Sequence, residues 1–334
     1  MKGAIIGFGQ VAEDAHAPAL LRGEGLEIAA VVDASAKRRE AAQKALPGAR
    51  VYADTAALYA AEKLDFVDIA TPPYLHFEQC REALKRKLHV LCEKPLVFTR
   101  REFETLRADS LKHKRALFPM HNWKYAPIYR KWHELLRAEA VGPIRHIELH
   151  VLRKKPAAVA GKDGSNWRLQ RSQAGGGILV DHGWHNLYLL VWLMGAAPER
   201  MDAVLQTPAG GDADDEATGL LRFPGASALM HLSWRAPVRA QWGTAYGREG
   251  SIEMLDDRLV LRSRDGAERT IRFPEKLSAG SAHPEWLRAM LPDFTAACAR
   301  FDPAEPTLAE AGHCAALIES AYRRTPCDAE AAAA

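Results

Sequence analysis

The sequence is poor in cysteine and contains no long apolar run. Its five cysteines are scattered, odd in number and never spaced as Cys-x-x-Cys: Cys80, Cys92, Cys298, Cys314 and Cys327. This usage argues against a disulfide framework and against a zinc site, so we expect no metal. No stretch approaches the roughly 18 apolar residues that cross a bilayer. Because the first residues read as a buried strand and not as a leader, we expect a cytoplasmic, reduced protein without a membrane partner.

Charge of one sign is also scarce. The 45 Lys and Arg residues nearly balance the 42 Asp and Glu residues, which gives a formal net charge of +3. That charge is small for 334 residues, so we expect no nucleic-acid partner. The hydrophobic fraction of 48% is ordinary for a globular protein. A chain of this length exceeds one ordinary core, and two domains are expected.

The first part of the chain alternates short apolar runs with helical patterns. This alternation is typical of βαβ units and a parallel sheet. The predicted strands are Gly3–Ile6, Leu26–Val32, Val51–Ala53, Phe66–Ala70, His89–Cys92 and Ala116–Pro119. We therefore predict an α/β protein in which residues 1–122 form a Rossmann domain with a doubly wound parallel sheet.

Beyond residue 122 the pattern changes to that of strands with one solvent-exposed face. A helix over Ala126–Arg137 is predicted to end near Gly142, and Ile144–Val151 alternates polar with apolar residues. Further strands are predicted at Ala217–Phe223, Ala226–Trp234, Gly243–Met254, Arg258–Arg264 and Glu268–Phe273. With helices near Asp181–Met194 and in the last fifty residues, residues 123–328 are expected to form an α/β domain with a large, mostly antiparallel open sheet. Residues 329–334 are expected to be a disordered tail.

A dinucleotide fingerprint follows the first predicted strand. The loop reads Gly7-Phe8-Gly9-Gln10-Val11-Ala12, a match to Gly-x-Gly-x-x-Gly/Ala. Its glycines allow a tight turn and close approach of a pyrophosphate to a helix N-terminus. Asp33 ends the second strand, 24 residues after Gly9, where a carboxylate accepts hydrogen bonds from ribose hydroxyls. This favours NAD, while the polar and basic residues that follow leave NADP open: Ser35, Lys37, Arg38 and Arg39.

Four further motifs follow in order along the chain. They are Thr71-Pro72-Pro73-Tyr74-Leu75-His76, Cys92-Glu93-Lys94-Pro95-Leu96, Trp167-Arg168, and the run from Gly175 to His185. Together they resemble the Gfo/Idh/MocA family, named after glucose–fructose oxidoreductase and inositol dehydrogenase, over nearly the whole chain. The resemblance implies a nicotinamide cofactor, a sugar-like or cyclitol substrate, and a homodimer or homotetramer packed through the C-terminal sheet. One departure is Pro73, where relatives often carry Asn.

Three residues are candidates for catalysis. Lys94 follows the fifth strand, and ligands bind beyond the carboxyl ends of strands in open α/β sheets; the resemblance makes it the active-site lysine. Asp181 and His185 are spaced to share one face of a helix, which suits an imidazole that exchanges protons near neutrality. We expect His185 to act as general acid/base with Asp181 as its partner and as a substrate-hydroxyl acceptor, and His182 to lie off that face.

Other residues are expected to line the cofactor and substrate sites. The cofactor candidates besides the fingerprint, Asp33, Ser35, Arg38 and Lys94 are Thr71, Pro72, His76, Glu93 and Asn122. The substrate candidates besides Asp181 and His185 are Tyr125, Trp167 and Arg168. His16 is expected only to cap or pack. The segment from Arg153 to Arg171 carries six basic residues, Lys162 among them, against one acid, Asp163, and is either a solvated loop or a lid for an anionic substrate.

These features predict hydride transfer between NAD(P) and a secondary alcohol or ketone of a sugar, cyclitol or related compound. Lys94 and His185 would handle the reacting oxygen. One alternative is a glycoside hydrolase that recycles bound NAD, which net reduction of NAD in solution distinguishes. Another is a non-catalytic NAD(P)-binding sensor, which the presence of Lys94, Asp181 and His185 together disfavours.

Overall fold

The computed structural model describes residues 1–157, 166–280 and 282–324. The chain divides into two compact units, one of Met1–Tyr125 with the described part of Ser281–Gly312, and one of Ala126–Gly280 with the described part of His313–Ala334. The domain limits drawn from the sequence remain a prediction. The expected tail at 329–334 lies outside the described residues, as do Lys162 and Asp163 of the basic segment.

The first unit contains a six-stranded parallel sheet in the order β3-β2-β1-β4-β5-β6. Its strands are β1 (Lys2–Ile6), β2 (Glu27–Val32), β3 (Arg50–Tyr52), β4 (Phe66–Ile69), β5 (His89–Cys92) and β6 (Leu117–Pro119). The Rossmann prediction is confirmed, with each strand within one residue of its expected ends. The strand order reverses between β1 and β4, which is where ligands bind in sheets of this type.

The second unit contains an eight-stranded sheet in the order β14-β13-β12-β11-β7-β10-β9-β8. Its strands are β7 (Ile144–Leu152), β8 (Arg200–Gln206), β9 (Glu216–Phe223), β10 (Ala226–Ser233), β11 (Ala240–Gly247), β12 (Gly250–Met254), β13 (Arg258–Ser263) and β14 (Glu268–Arg272). Only β7 and β10 pair in parallel, so the mostly antiparallel prediction is confirmed.

Eleven α-helices occur within the described residues. They are α1 (Ala17–Leu21), α2 (Ala36–Ala45), α3 (Thr55–Ala61), α4 (His76–Lys85), α5 (Arg100–His113), α6 (Pro127–Arg137), α7 (Arg171–Ala174), α8 (Ile178–Asp181), α9 (Gly183–Met194), α10 (Pro284–Ala299) and α11 (Pro306–Arg324). Within that part of the chain, no helix combines the length and apolarity needed to span a bilayer.

Two sequence predictions in the second unit need correction. The single strand expected over Gly243–Met254 is a hairpin of β11 and β12, because the chain reverses between Gly247 and Gly250. At Gly247 a Cβ would lie 2.0 Å from the Val141 carbonyl oxygen, so only glycine allows this close approach. Strand β8 was not anticipated at all. The helix expected over Asp181–Met194 is present as α8 and α9, with His182 between them.

Helix α10 belongs to the core of the first unit. Its fully buried Phe294 meets Phe66 of β4 and Phe118 of β6 edge to face, with ring centroids 5.6 and 5.9 Å apart. Such aromatic pairs stabilise a core beyond their buried area. A segment near the end of the chain therefore supports the parallel sheet.

Candidate active site

The glycine loop has the backbone geometry that a pyrophosphate requires. Gly7 adopts φ +92°, and a Cβ there would lie 2.8 Å from the Thr71 backbone nitrogen, so the turn is closed to any larger residue. At Gly9 a Cβ would meet no atom within 4 Å, so this backbone faces open space. The helix then begins with Glu13 N donating to Gly9 O at 3.0 Å. The loop thus fits a dinucleotide phosphate at a helix N-terminus.

The Asp33 carboxylate fastens this loop to the end of β2. Its Oδ2 accepts from Phe8 N and its Oδ1 accepts from Ser35 N, both at 2.8 Å. A carboxylate has about four acceptor positions, so two remain for other donors. Asp33 is half-buried, which leaves that edge reachable by a ligand.

The basic residues after Asp33 are largely engaged with the protein. Arg38 Nη1 pairs with Glu13 at 3.1 Å. Arg39 Nη1 donates to Asp33 O at 2.8 Å and to Ala34 O at 3.0 Å. Lys37 is exposed. Two of the three cations therefore already serve local structure.

His76 joins the turns that follow β4 and β5. Its Nδ1 lies 2.8 Å from Pro95 O, and its Nε2 lies 2.8 Å from Thr71 O. Burial lowers the pKa of His76, and the two carbonyl contacts offset this only in part. Thr71 Oγ1 donates to Gln79 at 2.6 Å, so Thr71 is fixed at both its backbone and its side chain.

Glu93 holds the backbone of Lys94. Its Oε2 accepts from Lys94 N at 2.9 Å, and its Oε1 lies 3.1 Å from Nε2 of His16. Nδ1 of His16 lies 2.8 Å from Oδ2 of Asp68. Burial alone lowers the pKa of His16, but the two carboxylates raise it to about 10, so the ring is an imidazolium that donates to both.

This cluster was not predicted from the sequence, where His16 was expected only to cap or pack. The signal was present in Asp68, a carboxylate inside the otherwise apolar strand β4. Buried charges in proteins are normally paired, so an acid at that position implied a cationic partner nearby.

In the second unit, Arg168 and Asp181 form an ion pair. Arg168 Nη1 donates to Asp181 Oδ1 at 2.8 Å, and Asp181 Oδ2 lies 3.4 Å from His182 Nδ1. The Arg168 guanidinium also lies over the Trp167 ring, 4.6 Å from its centroid. These residues, three of them predicted substrate contacts, are therefore brought together.

His185 lies on α9 beside a residue that the sequence reading did not select. Its Nδ1 is 2.9 Å from the Tyr188 hydroxyl, and the side chain of Tyr188 is fully buried. The signal was a tyrosine three residues after a candidate histidine, in a mostly apolar helix. Tyr188 thus contacts Nδ1 of His185, for which the sequence analysis expected Asp181 as the partner.

Asp214 secures the start of α8 and was also missed. It accepts from Gly177 N at 2.8 Å and from Leu179 N at 2.9 Å, and the Tyr322 hydroxyl donates to it. A Cβ at Gly177 would lie 1.8 Å from the Asp214 carbonyl oxygen. This glycine lets the helix that ends at Asp181 begin against Asp214.

Other predicted residues have separate partners. Asn122 opens a short 3-10 turn, Asn122–Tyr125, and the Tyr125 hydroxyl donates to Asp293 at 2.6 Å. Burial and Asp293 both raise the pKa of Tyr125. The Tyr125 hydroxyl is therefore tied to α10.

Two described residues of the basic segment, Arg153 and Arg171, have different surroundings. Arg153 is buried and donates to the carbonyls of Leu152 and Ala240, at 2.9 and 3.1 Å, and burial lowers its pKa to about 10. Arg171 lies over the Tyr322 ring, 4.7 Å from the centroid. Arg153 thus serves the fold of the second unit, contrary to the solvated-loop reading of that residue.

Comparison with known proteins identifies the family to which the chain belongs. Residues 1–121 match the model of an oxidoreductase family with an NAD-binding Rossmann fold, and residues 129–253 match the Gfo/Idh/MocA C-terminal domain. A protein assigned as an oxidoreductase subunit of UDP-kanosamine synthase, from Amycolatopsis mediterranei, is 31% identical over 78% of this chain and 76% of its own length. D-apiose dehydrogenase from Paraburkholderia graminis is 28% identical over 86% of this chain and 76% of its own length.

Solved structures share the fold. A levoglucosan dehydrogenase in complex with NADH and levoglucosan has a TM-score of 0.80 at 23% identity, covering 97% of both chains. A 3-ketoreductase from Actinomadura kijaniata has a TM-score of 0.82 at 20% identity, covering 97% of this chain and 98% of that one. The chain belongs to the Gfo/Idh/MocA family of oxidoreductases, and its N-terminal domain is the family's NAD-binding Rossmann fold.

Proposed function

We propose that this oxidoreductase transfers a hydride between nicotinamide and a secondary alcohol or ketone of a sugar, cyclitol or sugar derivative. The observation that carries the proposal is the placement of Lys94. It follows β5 at the same edge of the parallel sheet as the Gly7 and Thr71 turns, with its backbone held by Glu93. Relatives named for sugar oxidation support the substrate class.

The cofactor, when bound, supplies the hydride acceptor or donor at the nicotinamide ring. The Gly7–Val11 loop would hold the pyrophosphate and Asp33 the adenosine ribose hydroxyls. We propose a preference for NAD, because Arg38 and Arg39 are engaged with Glu13 and with backbone carbonyls. Of the three basic residues that follow Asp33, this leaves Lys37 to neutralise a 2′-phosphate beside the Asp33 carboxylate.

In the oxidation direction, the carbinol carbon loses its hydride and the hydroxyl loses its proton as the ketone forms. Lys94 donates a hydrogen bond to that oxygen and stabilises its negative charge. His185 accepts the proton at Nε2, provided that Nδ1–H donates to Tyr188. Asp181, held by Arg168, accepts hydrogen bonds from neighbouring substrate hydroxyls.

We also propose that the substrate is uncharged. Arg153 donates to backbone carbonyls and Arg168 pairs with Asp181. Two of the cations that an anionic substrate would use are therefore already bound within the protein. Neutral polyols suit the remaining donors and acceptors. A substrate carrying phosphate or a nucleotide would contradict this part of the proposal.

We propose that the open face of the eight-stranded sheet pairs with a second copy of the chain. Val204, Leu220 and Tyr246 are large apolar or aromatic side chains exposed on its strands. Apolar side chains of this kind on an open sheet favour association. Light scattering on Leu220→Glu should show a smaller particle than on the wild type, and an unchanged monomer in both would contradict this pairing.

The function is tested by steady-state assays with NAD and NADP against neutral sugars, cyclitols, glycosides and their phosphates. We expect reduction of NAD in solution by at least one neutral compound. Cleavage of a glycoside without net NADH would favour the NAD-recycling hydrolase. Tight NADH binding without turnover of any compound would favour the sensor, and no binding of either cofactor would overturn all three functions.

A further inference from the structure

Three titratable side chains that take no part in the proposed hydride and proton transfers form a chain in the first unit. Asp68, His16 and Glu93 are linked by contacts of 2.8 and 3.1 Å, and Glu93 then accepts the backbone N–H of Lys94. His16 and Asp68 have no exposed surface. The cluster thus ends at the residue that carries the proposed chemistry.

The three residues come from separate elements. His16 ends a π-helical turn, Ala12–His16, that follows the glycine loop. Asp68 is inside β4, and Glu93 is the first residue after β5. Turns of the π type are rare and occur frequently at functional sites. The helix, the strand and the turn therefore converge on one buried imidazolium.

Stability alone does not explain the cluster. Buried ionic triads are often no more stable than apolar side chains of similar volume. In addition, Asp68 Oδ1 is buried and lacks a hydrogen-bond partner within the described residues. A buried acceptor left unsatisfied lowers the free energy of unfolding. Filling the same space with apolar side chains would avoid that penalty.

We propose that Asp68, His16 and Glu93 are positioning residues that fix Lys94 for hydride transfer. His16 occupies Glu93 Oε1 and Lys94 N occupies Oε2, so both oxygens of Glu93 are directed and its carboxyl group cannot rotate freely. The array carries a net charge of −1, which complements the Lys94 ammonium. This inference rests on the proposed function only for the role of Lys94.

The array also has a defined charge state. Asp68 and Glu93 are the charged groups that face His16, while Lys94, Cys92 and His121 interact electrostatically with Glu93. The pKa of His16, about 10, keeps it protonated across the neutral range. Removing the Asp68 charge lowers that pKa, so His16 in Asp68→Asn becomes neutral as the pH rises.

Hydrogen exchange at the Lys94 amide gives a test that needs no substrate. We expect His16→Gln to speed this exchange at least tenfold, because the charged donor that directs Glu93 is replaced by a weaker, neutral amide donor. The variant Asp109→Asn, which removes a pairing with Arg81 outside the array, should leave the rate unchanged. An unchanged Lys94 rate in both His16→Gln and Asp68→Asn would overturn the proposal.

Steady-state kinetics distinguish the positioning of Lys94 from a purely structural role of the array. We expect kcat of His16→Gln to fall by up to about 100-fold, the cost of misplacing a reacting group, with NADH affinity within threefold of wild type. In Asp68→Asn, kcat should decrease as the pH rises and His16 loses its proton. Asp109→Asn should show no such decrease. A loss of NADH affinity in proportion to kcat would show a structural role and overturn the proposal.

Failure of the proposed function has a different signature. If the wild type turns over no compound, the hydride-transfer assignment fails while amide exchange still decides whether the array fixes Lys94. If His16→Gln does not fold, Asp68→Asn retains the imidazole and a side chain of the same shape, and it supplies both readouts.

Discussion

Asp33 Oδ2 accepts the backbone N–H of Phe8 at 2.8 Å, so the residue that we propose to select the cofactor also holds the glycine loop. We predict that Asp33→Asn weakens NADH binding about tenfold, as expected for the loss of a charged acceptor. NADPH binding should weaken less, because the repulsion of a 2′-phosphate is removed. Fluorescence titration with both cofactors measures this ratio. Asp54→Asn, at the cap of α3, is a matched control that should leave it unchanged.

We predict that Lys94→Met lowers kcat by about 100- to 1,000-fold, the usual effect of removing a donor to a developing oxyanion. The KM for NAD should change much less. Lys63→Met, an exposed lysine of the same unit, is the control for loss of charge. Steady-state assays of both variants measure these effects. A Lys94→Met enzyme with normal kcat would show that Lys94 does not take part in the reaction.

The pair of His185 and Tyr188 predicts a graded response. His185→Gln should lower kcat by about 100-fold or more, since general acid–base catalysis contributes on that scale. Tyr188→Phe should lower it about tenfold, the value of one hydrogen bond. Equal rates for Tyr188→Phe and wild type across the pH range would show that Tyr188 does not orient the imidazole.

The raised pKa of His16 predicts how stability depends on pH. An imidazolium stabilised by folding contributes fully below its unfolded pKa, about 6.5, and that contribution is lost as the pH rises through the folded value of about 10. Urea unfolding of wild type and His16→Gln should therefore differ most near pH 6 and least above pH 10. A difference that grows with pH would contradict the charge assignment.

Local patterns were sufficient to predict most of the fold. Apolar runs and glycine placement determine the six parallel strands, and period-two alternation determines β7, with Ile147, Leu149 and Val151 buried. The hairpin of β11 and β12 was not predicted, although Gly247 and Gly250 flank its turn and are a local signal for one. The packing of Phe294 under the parallel sheet was not predicted because it is a contact between segments far apart in sequence.

In the candidate site, too, residues near strand ends were predictable and contacts between distant segments were not. The glycine loop and Asp33 are adjacent to strand ends, so strand prediction finds them. Asp68 and His16 lie 52 residues apart, and only the folded chain shows their contact. Asp214 was missed for the same reason, since its link to Gly177 spans 37 residues.

The most direct test of the central claim follows a deuterium label from substrate to cofactor. A compound found in the assays is labelled at its carbinol carbon, and the nicotinamide product is analysed by mass spectrometry. We predict deuterium in the reduced nicotinamide with wild type and its near absence with Lys94→Met. Turnover of the labelled compound without transfer of deuterium to the nicotinamide would contradict it.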